Sequence, residues 1–109
     1  MPWLLRDGEV LASLEVPDSR RGRARGLLGN DAFEGAMLLA PTRSVHTIGM
    51  RFPIDVAYCD ADMCVIAVVT MSPNRVGMPR WRSRSVVEAE AGAFERWSLT
   101  IGQQLEVRE

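Results

Sequence analysis

The sequence contains no lysine, and all 13 of its basic residues are arginine. Genomic base composition accounts for that bias. Selection for planar, bidentate anion contacts would favour arginine at particular sites but does not explain a lysine count of zero. Cysteine is also scarce. Cys59 and Cys64 are the only two, too few for a secreted disulfide framework or a zinc site, and in a cytoplasm they are expected as reduced, partly buried thiols. There is one histidine, His46. No Gly-x-Ser-x-Gly elbow accompanies it, so familiar nucleophilic arrangements are disfavoured. No stretch approaches the roughly 18 consecutive apolar residues of a spanning helix. The start, Met1-Pro2-Trp3-Leu4-Leu5-Arg6-Asp7, lacks the basic flank and longer apolar run of a secretory signal. The chain is therefore expected to be soluble and cytoplasmic, with no membrane among its partners.

What is present suits one globular domain over residues 1–109. Hydrophobic residues make up 47% and charged residues 25%, close to the averages for such domains. The formal net charge is −1, which does not draw the whole molecule to nucleic acid, and no nucleic-acid motif is present.

Residues 9–16 alternate, with Val10, Ala12, Leu14 and Val16 on one face, as in a half-buried strand. A short helix is expected over 20–28, capped by Asp18 or Ser19 and stopped at Gly29. Residues 36–40 form a continuous apolar run suited to a buried strand. Strands are also expected over 54–59, 64–71 and 85–89, with a hairpin turn at 60–63. A single helical turn over 91–97 and a last strand over 103–108 complete the reading. The 72–84 segment is the longest irregular stretch, a length that usually marks a functional or mobile loop. The expected fold is mainly β (α+β), a small compact barrel or roll of about six to eight short strands with one or two short helices.

Several segments match one family pattern in order. These are Arg25-Gly26-Leu27-Leu28, Gly35-Ala36-Met37-Leu38-Leu39, and His46 through Met50 followed by Pro53-Ile54-Asp55-Val56. Val86-Val87-Glu88-Ala89, Ala91-Gly92 and Ile101-Gly102 continue the match. On these residues the chain resembles the family known as domain of unknown function 192. The resemblance implies a β-dominated, barrel-like domain and no particular activity. Three positions depart from the pattern: Gln103 stands in place of Asp, Gly49 in place of an aromatic, and Met63 in place of the glycine of the hairpin. A non-glycine residue in a left-handed turn position is costly, which suggests another turn geometry there.

Four ionisable residues sit at element ends or in apolar runs, where a charge needs a partner: Arg25, His46, Asp55 and Glu88. If one carboxylate pairs with Arg25 and another orients His46, the set forms a polar binding site, or a catalytic one in which His46 acts as general base. The same residues also fit a structural ion pair with a hydrogen-bonded histidine. His46 and Met50 are soft ligand types that would suit copper(I), although methionine more commonly fills cores, and no metal or cofactor is assigned. Arg75, Arg80, Arg82 and Arg84 flank Trp81 and suit a small anion, a carboxylate or a protein partner. The leading expectation is a small binding or accessory module around His46, with Arg25, Met50, Asp55, Trp81 and Glu88 contributing and the long loop as an adjustable rim. The alternatives are an acid–base enzyme using His46, Asp55 or Glu88, and a protein that binds partners or anions through the 75–84 loop. Whether the protein is an enzyme stays open at this level.

Overall fold

The computed structural model describes residues 2–17 and 32–109. Among the described residues, seven strands and one helical turn follow in order: β1 (Trp3–Arg6), β2 (Glu9–Glu15), β3 (Ala36–Leu39), β4 (Ile54–Cys59), β5 (Val65–Met71), β6 (Ser85–Glu90), α1 (Ala93–Arg96) and β7 (Glu106–Arg108). The helix expected over 20–28, and Arg25 with it, lies outside the described residues.

The strands form a sheet in the order β5-β4-β6-β3-β2-β1-β7. All of its named pairs are antiparallel except β2 with β3. Its two edges meet at one end without a continuous ladder. Val65 N–H donates to the carbonyl of Gln103, Gly102 N–H to that of Val65, and Leu105 N–H to that of Met63. The result is a curled, roll-like sheet, as the sequence suggested.

The central strands β4 and β6 are buried along nearly their whole length, because both faces of the sheet are covered. Successive side chains on a strand point to opposite faces. On β4, Ala57 and Cys59 enter one apolar cluster, with Leu4, Leu14, Val87, Phe94 and Leu105. Ile54, Val56 and Tyr58 enter the other, with Met37, Met50, Phe52 and Val86. α1 closes the first face. The second lies beneath two irregular segments, 41–52 and 72–84.

β1 was not anticipated from the sequence. It is only four residues long and forms a hairpin with β2 through Asp7-Gly8, both at positive φ (53° and 80°). Asp-Gly between apolar runs is the local signal that identifies it. The regular alternation expected along β2 is also interrupted. A register shift falls between the pairs Leu4↔Ala12 and Leu5↔Val10, and such a bulge re-aims the side chains beyond it. Leu14 is therefore buried, Val10 and Val16 are exposed, and Leu11 packs against the core.

The 60–63 turn keeps the left-handed geometry in spite of its methionine, contrary to the expectation. Met63 has φ 62°. Asp60 Oδ1 accepts the N–H groups of Asp62 and Cys64 at 2.9 and 3.0 Å, and Met63 packs on the first cluster. These contacts offset the backbone cost. Gln103, another departure, accepts the Thr100 N–H and an Arg6 guanidinium N–H through Oε1.

Candidate functional site

The structure sends Asp55 and Glu88, two of the ionisable residues that the sequence singled out, in different directions. Asp55 lies opposite Ala89 in the β4–β6 register, and Glu88 lies opposite Val56. The two carboxylates therefore leave opposite faces of the sheet. Asp55 points to α1. Its Oδ2 accepts the N–H groups of Gly92 (2.9 Å) and Phe94 (3.1 Å), and its Oδ1 accepts the Thr70 hydroxyl (2.7 Å). Three donors occupy this carboxylate and anchor the β6–α1 turn.

Glu88 faces the second cluster and is only 3% exposed. No described residue donates a hydrogen bond to it. Burial pushes its carboxyl up to about 7, because an ion in apolar surroundings loses its hydration without compensation. Glu88 shares that face with Tyr58, two residue pairs along the β4–β6 ladder. Burial raises the Tyr58 phenol first. The Arg80 guanidinium opposes this effect and the Glu88 carboxylate adds to it.

His46 is exposed. It forms an antiparallel bridge with Val76, so the two side chains stand together on the outer surface. Met50, by contrast, is buried in the second cluster. Trp81 is fully on the surface. Among the described residues, no group of three or more His, Cys, Asp or Glu side chains is placed to hold a metal ion.

The 72–84 segment is irregular, as expected, but it is not a loose rim. It runs beside 42–47 and is tied to it at several points. Thr47 Oγ1 donates to the Ser72 carbonyl at 2.6 Å and accepts the Arg75 N–H at 2.8 Å. Thr47 N–H donates to the carbonyl of Arg75, Gly77 N–H to that of Val45, and Arg80 N–H to that of Arg43. Buried Ser83 donates to the Thr42 carbonyl.

Between this cover and the end of β5 lies a cavity of about 300 Å³, lined in part by Tyr58, Thr70, Met71, Arg75, Gly77 and Arg80. The Arg80 guanidinium carbon sits 5.1 Å from the Tyr58 ring centroid, within cation–π range. Its Nε is buried and has no hydrogen-bond partner among the described residues, so the stack holds an N–H donor that the fold does not use. Gly77 is needed for the close approach: a β-carbon there would lie 2.9 Å from both the Tyr58 hydroxyl and the Val45 carbonyl oxygen. The sequence placed Arg80 in an arginine cluster but missed Tyr58 as its partner. The available signal was the sequence's one tyrosine, placed near the end of β4.

Residues 4–107 match the family DUF192, described as an uncharacterized ACR. Similar relatives include a UPF0127 protein of Pyrococcus horikoshii, 30% identical over 104 residues that cover 91% of this chain and 87% of the relative. A UPF0127 protein of Pyrococcus abyssi is 26% identical over 98 residues, covering 85% and 84%. Two crystal structures share the fold at 16% identity and a TM-score of 0.80. One is a protein of unknown function from Novosphingobium aromaticivorans, with 96% of this chain and 82% of that chain covered. The other, from Sinorhizobium meliloti, is described provisionally as a transcription regulator, with coverage of 97% and 91%.

Proposed function

The chain belongs to the DUF192 family, which has no assigned activity, and from that premise we propose that it is a binding module for a small anionic ligand. The site is the cavity beneath the 72–84 cover. The single observation that carries this reading is Arg80, stacked on Tyr58 with a buried Nε–H that lacks an acceptor. A carboxylate or phosphate oxygen satisfies that donor, and charge-assisted bonds of this kind are the stronger class. Arg75 stands at the same cavity and supplies a second cationic group. The apolar part of a ligand meets Met71. His46 belongs to the outer rim, beside Val76. A cytoplasmic location is part of the reading, supported by the two unpaired thiols, Cys59 and Cys64, which suit a reducing compartment.

The test is an amide NMR titration with inorganic phosphate and short-chain carboxylates on the wild type, Arg80→Gln and His46→Gln. Saturable shifts at Tyr58, Met71 and Gly77 that vanish in Arg80→Gln and persist in His46→Gln are expected. Shifts confined to exposed arginines and erased by moderate salt would refute the site.

Acid–base catalysis is the rival reading, and one observation favours it. The Glu88 carboxyl titrates near neutrality on the same face as Tyr58, which is how enzymes poise a proton-transfer group. Loss of turnover in Glu88→Gln with ligand binding retained would decide for it.

A further inference from the structure

The cover that forms the roof of the cavity also has an outer side, and its composition sets it apart. Segments 41–52 and 72–84 together hold six arginines and no aspartate or glutamate. The acidic residues lie elsewhere in the chain, so this layer is cationic although the formal net charge is −1. Large apolar side chains project from the same layer. Trp81, Met78 and Val76 are 78%, 74% and 73% exposed, and Ile48 is 54% exposed. The first three are the most exposed large hydrophobic residues described.

Their arrangement is interleaved. Val76 follows Arg75, and Trp81 stands between Arg80 and Arg82. The backbone at Val76, Gly77 and Arg80 is bonded to 43–47, so Val76, Met78 and Trp81 project from a held layer, whereas the Arg80 guanidinium is turned in on Tyr58. Isolated apolar protrusions set among guanidinium groups match a surface whose anions and hydrocarbon lie at adjacent depths. Nucleic acid fits less well, because single-strand binding uses aromatic stacking platforms, and three of these four side chains are not aromatic.

We infer that the outer side of the 41–52 and 72–84 layer docks on an anionic lipid surface. Trp81, Met78, Val76 and Ile48 enter the headgroup region, where tryptophan is favoured. The exposed Arg43, Arg75 and Arg82 meet lipid phosphates and carboxylates. The negative remainder of the molecule orients this face toward the bilayer. This contact is peripheral, and it departs from the sequence expectation that no membrane is among the partners. Among the described residues no helix is long and apolar enough to cross a membrane.

The experiment uses the full chain with vesicles of phosphatidylcholine alone and of phosphatidylcholine containing phosphatidylserine, read by co-sedimentation. Binding only to the anionic vesicles, weakened by salt, is expected. Arg75→Gln and Arg82→Gln should each weaken partition by about fivefold, the effect of roughly 1 kcal/mol per cation near such a surface. Trp81→Ser and Met78→Ser should weaken it further, with circular dichroism unchanged because both residues are exposed. Failure to bind, equal binding to neutral vesicles, or binding unaffected by the four variants would overturn the inference. So would complete displacement by polyglutamate or single-stranded DNA, which would reassign the face to an acidic protein or to nucleic acid. The two proposals fail separately. Phosphate shifts at Gly77 without vesicle binding reject this inference alone, and vesicle binding without such shifts rejects the cavity reading alone.

Discussion

Glu88→Gln changes one buried atom of the fold and should remove a pH dependence of stability. In the folded protein the Glu88 carboxyl titrates at about 7, against 4.5 for the free group, because burial penalises its charged form. At pH 4 the group is protonated in both folded and unfolded chains and contributes nothing. Between 4.5 and about 7 the unfolded chain has released the proton while the folded chain keeps it. Folding then takes up a proton, so stability falls as pH rises. Above about 7 the loss is complete. At 1.36 kcal/mol per pKa unit the full effect is roughly 3 kcal/mol. The assay is urea denaturation of wild type and Glu88→Gln from pH 4 to pH 8, taken as a difference so that other titrating groups cancel. Relative to the variant, the wild type should lose about 3 kcal/mol across that range. The glutamine amide still needs hydrogen-bond partners, which shifts the whole difference curve without changing its slope. A flat curve, or one that rises with pH, would refute the reasoning, since a rise means that the ionised carboxylate is paired in the fold.

Asp55→Ala removes the acceptor of three hydrogen bonds and leaves the Gly92 and Phe94 N–H groups without one. Bonds to a charged group contribute about 1.5–3 kcal/mol each, so a loss of roughly 3 kcal/mol or more is expected in chemical denaturation, and a loss under 1 kcal/mol contradicts the anchoring role. Cys59 is fully buried and its thiol is pushed up to about 12, chiefly by burial, whereas Cys64 is partly exposed. Iodoacetamide at pH 8 should label Cys64 alone in the native protein and both thiols in denaturant, as read by peptide mass spectrometry. Rapid native labelling of Cys59 would show that the first cluster opens.

Much of the strand framework was legible because apolar runs bounded by prolines and turn residues leave few alternatives. The run from Ile54 to Cys59 forms β4 with the expected bounds, and β6 extends the expected 85–89 run by one residue to Glu90. The helical turn after Gly92 was also expected. β1 escaped, because four residues show too little periodicity to declare a strand. Glu88 stood out inside Val-Val-Glu-Ala as a charge in apolar surroundings, and the structure places it in just such surroundings. Its grouping with Asp55 and His46 was not legible. Neighbouring strand residues alternate faces, so the β4–β6 register alone sends Asp55 and Glu88 to opposite sides.

The sequence by itself determined a β-rich chain with a long arginine-bearing segment, a buried acid in β6 and membership of a recognisable family. Those features follow from local patterning and from residue types that hold their meaning wherever they are placed. Only the tertiary structure decided that the 72–84 segment is held rather than loose, because its anchor, Thr47, is 25 residues from Ser72 and 28 from Arg75. The pairing of Arg80 with Tyr58, 22 positions apart, likewise depends on where the cover crosses the sheet. Contacts between distant segments are set by sheet register and by which face each segment covers, and no local run of residues encodes them.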